Sequence, residues 1–155
     1  MIQYQEEFPS AYESVAQARR AVGRFAASCG YGAAAISDIV LAVGEACSNS
    51  VEHGHVERGE FIVACSFVDG VLRTEIVDRG EGFDETTLIV GADPIECIGR
   101  GRGLSIMRAL MDAVECRRAS SGMTVILVKR LLAGGVDEPG RELIGLDADH
   151  CRQTG

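Results

Sequence analysis

At 155 residues the chain is long enough to bury one core without disulfides or a structural metal, and too short for two ordinary domains. Its 15 basic and 23 acidic residues leave a net charge of −8. That balance argues against a main role in coating nucleic acid or an anionic membrane, and favours partners with a basic patch. The first residues form no basic and apolar leader, and no run approaches the roughly 18 apolar residues that span a bilayer, so a cytoplasmic protein is expected.

Residues 2 to 8 alternate, with Ile2, Tyr4, Glu6 and Phe8 on one side, which predicts a short strand before Pro9. Ser10 reads as a helix cap. From Ala11 to about Cys29, Val15, Ala18, Val22, Phe25 and Ala26 recur at helical spacing, and Gly30 with Gly32 supplies the stop. A second helix is predicted from about Ala33 to Glu52, with Ile36, Ile39, Val40, Val43, Cys47 and Val51 on one side. Glu45, Asn49 and Glu52 fall on the other, and Glu45 and Asn49 stand one turn apart, so their side chains project together. On periodicity alone these polar residues also suit a plain solvated face.

Beyond a polar turn around Gly54 to Gly59, Phe61–Val68 and Val71–Val77 are β-rich runs joined by Asp69-Gly70, a link suited to a type I′ hairpin. The second run delivers Asp78 to a strand end, where a scaffold can aim a carboxylate into a cleft, although an Asp-x-Gly sequence also makes an ordinary turn. Residues 84 to 98 lack periodicity and are long for a connection, as lids and binding loops are. Leu104, Met107 and Met111, with Ile106 and Leu110, predict a helix that starts inside a glycine cluster. Val114–Arg117 and Met123–Leu131 follow as strands linked by Ser120-Ser121-Gly122. The order strand, helix, helix, hairpin, loop, helix, hairpin predicts an α+β, two-layer sandwich with helices on one face of a mainly antiparallel sheet. Residues 1–131 form its single domain, and the acidic segment 132–155 is expected to be a flexible tail.

Six cysteines, at 29, 47, 65, 97, 116 and 151, include no C-x-x-C pair. They read as small buried hydrophobes rather than a disulfide or zinc framework. His53 and His55 have no further partner at ligand spacing.

The chemistry-bearing pieces are three: Glu45 and Asn49 on a helix, Asp78-x-Gly80-x-Gly82 at a strand end, and Gly99-x-Gly101-x-Gly103 opening a helix. Free N–H groups and a positive helix end at the last cluster favour a phosphate. It is no Walker loop, because no Gly-Lys-Ser/Thr follows, and it lacks the dinucleotide spacing. Together and in this order the three pieces resemble the boxes of the GHKL ATPase superfamily, the Bergerat fold shared by histidine kinases and gyrase-type ATPases, over residues 5–131. The run Glu-Ala-Cys-Ser-Asn-Ser-Val-Glu-His at 45–53 and the run Gly-Arg-Gly-Leu-Ser-Ile-Met at 101–107 look most like the anti-sigma factor serine/threonine kinases of bacterial sporulation and stress pathways.

That resemblance implies roles at matching positions. Asp78 would accept a hydrogen bond from the adenine amino group, with Gly80 and Gly82 letting the backbone pass close to the base. Asn49 would bring its side-chain oxygen to Mg²⁺, and Glu45 would act as general base for an attacking hydroxyl. Gly99, Gly101 and Gly103 would close over the ATP phosphates, with Leu104 continuing the cradle. Arg100 and Arg102 either add charge there or face solvent. Thr124 would touch a phosphate or an ordered water, or serve as an ordinary strand threonine.

The implied function is an ATP-dependent protein serine/threonine kinase that phosphorylates an anti-anti-sigma partner and sequesters a sigma factor. A homodimer is implied, with no direct nucleic-acid or membrane partner. The alternative is an ATP-binding partner-switch module with little or no kinase activity. The catalytic half of a histidine kinase is disfavoured, because no histidine precedes the helix that bears Glu45.

Overall fold

A computed structural model describes residues 1–53, 59–78, 102–119 and 122–132. The elements run β1 (Ile2–Pro9), α1 (Tyr12–Ser28), α2 (Ala33–His53), β2 (Glu60–Val68), β3 (Val71–Asp78), α3 (Arg102–Leu110), β4 (Ala113–Ala119) and β5 (Gly122–Arg130). The strands form one sheet in the order β1-β2-β3-β5-β4, antiparallel at every junction. The helices pack on one of its faces, giving the expected two-layer sandwich.

Pleat alternation decides which residues meet the helices. Phe8, Phe61, Val63, Cys65, Leu72 and Ile76 face α1 and α2 and join one core cluster with Val125 and Leu127. Phe61 is fully buried and stacks on Phe8 at a ring separation of 5.5 Å, a burial that contributes about 1.5–3 kcal/mol. The opposite face carries the rows Glu7–Ile62–Val77–Thr124–Arg117 and Gln5–Ala64–Glu75–Ile126–Glu115. Ion pairs along the strands, Arg73–Glu75 at 2.8 Å and Arg117–Glu115 at 2.6 Å, lie on that face. Ile62 and Ile126 are nonetheless buried there.

Local signals set the boundaries. The β2–β3 turn has positive φ at both Asp69 (50°) and Gly70 (76°), the type I′ geometry expected of that pair. Helix α1 ends in a Schellman closure, with Gly30 N–H donating to Ala27 C=O and Tyr31 N–H to Ala26 C=O. Its start differs from expectation. Strand β1 runs on through Pro9, which an edge strand tolerates, so Ala11 and not Ser10 takes the cap position, without a side-chain cap bond. Ser10 N–H instead donates to Gly59 C=O at 2.7 Å.

Helix α2 is, by length and hydropathy, apolar enough to cross a membrane, contrary to the reading that no run approaches that limit. Its apolar side chains Ile39, Val43 and Cys47 are fully buried in the domain core, as in the core helix of a globular domain. Cys29, Cys47 and Cys65 are buried free thiols, and Cys116 is half-buried, as expected of small hydrophobes. The tail beyond Leu132, the loop 84–98, His55, Cys97 and Cys151 lie outside the described residues.

Candidate active site

Helix α2 places Glu45 and Asn49 on one stripe, both half-buried, where the first turn of α3 crosses it. Gly103 is buried at that crossing. A Cβ on Gly103 would lie 3.3 Å from Glu45 Oε2, 3.4 Å from Asn49 Nδ2 and 3.7 Å from Asn49 Oδ1. Glycine lets the α3 backbone approach this closely without pressing on either side chain, whereas a Cβ would require them to give by a few tenths of an ångström. The glycine-to-helix transition read from the sequence therefore meets the Glu–Asn stripe in space.

Asn49 Nδ2 is buried and has no hydrogen-bond partner within the described residues. An orphaned buried donor costs on the order of 1–3 kcal/mol. An ordered water, an ion or a bound ligand completes such a group. An amide offers N–H groups to anionic oxygen and a carbonyl oxygen to a hard cation. With the Glu45 carboxylate beside it, this donor set fits a triphosphate carrying Mg²⁺. Among the described residues no cluster of three His, Cys, Asp or Glu side chains stands ready to hold a metal by itself.

Asp78 ends β3 opposite Phe61, on the same pleat as the stacked Phe8 and Phe61, so its carboxylate leaves the sheet on the helix side. Leu104 is 4% exposed and its side chain belongs to the core. Arg102 opens α3. Gly80, Gly82, Gly99, Arg100 and Gly101 lie outside the described residues.

Thr124 is not brought to this group. It pairs with Val77 and Arg117, both on the face away from α2, so the sheet separates its hydroxyl from Glu45 and Asn49. That register favours the ordinary strand threonine over the phosphate contact. Met123, one residue earlier, takes the helix-facing side and packs against the core. A shift of one residue along a strand exchanges the two faces.

Sequence reasoning also missed a polar node behind the site. Tyr31 O–H donates to Lys129 C=O (2.7 Å) and accepts from Leu72 N–H (3.1 Å). Lys129 Nζ donates to Asp38 Oδ2 (3.2 Å) and Leu110 C=O (2.5 Å). The available signal was a single lysine after the apolar run Val125–Val128, at the parity that faces the helices.

A two-layer domain that sets a Glu–Asn stripe against a helix-opening glycine, with an aspartate at a neighbouring strand end, defines an ATP-binding domain of the Bergerat class. A family model described as the histidine kinase-like ATPase domain matches residues 8–129, and the chain belongs to that family. It is similar to the serine-protein kinase RsbW of Halalkalibacterium halodurans, 32% identical over 94% of this chain and 91% of the relative. It is also similar to the RsbW of Bacillus pumilus, 32% identical over 84% and 87%.

Among solved structures, the RsbU and RsbW domains of a Mycobacterium tuberculosis protein share the fold at a TM-score of 0.65 and 24% identity. That match covers 84% of this chain and 33% of the longer one. The histidine kinase domain of a blue-light activated histidine kinase from Erythrobacter litoralis matches at a TM-score of 0.50 and 22% identity, over 79% and 61%.

Proposed function

We propose that the chain is an ATP-dependent protein serine/threonine kinase of the anti-sigma type, which phosphorylates an anti-anti-sigma partner and captures a sigma factor when that partner is spent. One observation carries the site assignment: Asn49 Nδ2, without a partner among the described residues, lies beside the Glu45 carboxylate, under a glycine whose Cβ would press on both side chains.

In this reading Asp78 selects the adenine amino group, Asn49 meets the phosphates and Mg²⁺, and the backbone from Gly99 to Gly103, with Leu104, borders the triphosphate. Mg²⁺ supplies charge neutralisation on the phosphate oxygens. Glu45 takes the proton from the acceptor hydroxyl. The serine or threonine oxygen then bonds to the γ-phosphorus, the bond from that phosphorus to the ADP oxygen breaks, and ADP departs with the electron pair. Self-association through β1 and α1 belongs to the same reading. It draws support from β1 being an edge strand among the described residues, with Ile2 50% exposed, since second copies can pair with sheet edges.

The test is to incubate purified protein with Mg·ATP and a candidate antagonist protein, then search the antagonist for phosphoserine or phosphothreonine. No phosphorylated residue on any cognate antagonist, together with unchanged sigma capture by Glu45→Ala, would leave a binding module and remove the kinase.

A further inference from the structure

Helix α3 bears Gly103 near its start and Leu110 at its end. Leu104, Met107 and Met111 are buried beneath it, and these apolar contacts fix which face it buries. Apolar contacts are non-directional, and polar bonds add a directional restraint on the helix's tilt. Directional bonds at its C-terminal end come from Asp112, whose N–H donates to Val128 C=O and whose carboxylate accepts from Arg130 N–H, and from the Lys129 side chain, which alone of these reaches α2. Lys129 Nζ donates to the Leu110 carbonyl and to the Asp38 carboxylate of α2, with its own side chain only 16% exposed. A cation at a helix C-terminus is favoured by the helix dipole as well. The backbone of Lys129 is fixed in turn, because its carbonyl accepts from the Tyr31 hydroxyl. One residue of β5 thus ties the end of α3 to α2 and to the segment that joins α1 and α2.

We propose that Lys129 is a positioning residue for the nucleotide phosphates: by tying the end of α3 to α2, it sets the approach of Gly103 to Glu45 and Asn49. The proposal rests on reading that crossing as the phosphate end of an ATP site. The geometry gives it leverage. Gly103 and Leu110 are seven residues apart, about 10 Å along a helix, so a tilt of about 10° about the Leu110 end moves Gly103 by roughly 2 Å. The close approach of the Gly103 backbone to Glu45 and Asn49 does not survive a displacement of that size. Asp38 is 41% exposed, so water can take over its bond when the lysine is removed, and the domain keeps its fold.

The experiment compares Mg·ATP with AMP by calorimetry on the wild-type chain, Lys129→Met and Lys129→Arg. AMP draws on the base contact at Asp78 and lacks the outer phosphates. Lys129→Met is expected to weaken Mg·ATP about tenfold while leaving AMP within about twofold, and Lys129→Arg to recover most of the loss. Asp38→Asn, milder for the fold, is expected to move ATP affinity in the same direction by a smaller factor, and it decides the matter if Lys129→Met does not fold. Unchanged ATP affinity in the variants, or an equal loss for ATP and AMP, overturns the positioning role. A wild-type chain that binds neither nucleotide overturns the site reading itself, and the positioning role with it.

Discussion

Gly103 on α3 stands directly against Glu45 on α2, so close that a methyl group on the glycine would lie 3.3 Å from the carboxylate oxygen. Gly103→Ala forces Glu45 or Asn49 to move by a few tenths of an ångström, in the one place where both are needed. The expected result is a fold that melts close to wild type and an ATP affinity lowered about tenfold or more, read by calorimetry, since overpacked sites cost about 1–3 kcal/mol. Wild-type ATP binding by this variant would mean that the crossing of α2 and α3 is not the phosphate end.

Glu45→Gln keeps the size of the side chain and removes its basicity. Phosphotransfer to the antagonist should fall by about 10²–10⁴-fold, the usual share of a general base, while Mg·ATP still binds. Single-turnover assays with radiolabelled ATP separate the two quantities. A variant that transfers phosphate at the wild-type rate would remove Glu45 from the base role.

Thr124→Val should leave ATP affinity within about twofold of wild type, because a residue on the far face of the sheet shares no partners with the site. A loss of tenfold would contradict the register in which Thr124 opposes Val77 and Arg117.

Tyr31→Phe deletes the hydroxyl that bridges Leu72 N–H and Lys129 C=O. Leu72 is fully buried, so its amide loses a partner that water does not replace. Unfolding free energy from urea titration should drop by about 1–3 kcal/mol. A drop below about 0.5 kcal/mol would show that the Leu72 N–H finds another partner once the hydroxyl is gone.

Burial pushes the Cys47 thiol up to about 12 and the Cys65 thiol up to about 11, from an ordinary value of 9.0. Both groups ionise more readily in the unfolded chain, so the folded state binds the extra protons. Their contribution is whole below pH 9 and is lost as pH rises from there toward the folded values, with a slope of up to about 1.4 kcal/mol per pH unit for each thiol. Urea titrations between pH 8 and 10.5 should show falling stability, and Cys47→Ala with Cys65→Ala should flatten that fall. Native protein at pH 8 should also resist iodoacetamide at both positions. Rapid alkylation of either would contradict the buried setting.

Much of this molecule was legible in one dimension because its signals are local. The 3.6-residue spacing of Val15, Ala18, Val22 and Phe25 marked α1, and Asp69-Gly70 marked its hairpin by the φ values it tolerates. The i,i+4 spacing of Glu45 and Asn49 put both on one stripe whatever lay opposite. What lay opposite was decided by tertiary packing. That Gly103 closes over the stripe, that Lys129 reaches Asp38 and Leu110, and that Asn49 is left with an unpaired amide all depend on how α3 crosses α2, which no spacing encodes. Thr124 marks the boundary most sharply. Its place in the chain suggested a phosphate contact, but the face a strand residue occupies is set by register with its neighbours. One step of pleat sends its hydroxyl to the far side of the sheet and turns Met123 toward the helices.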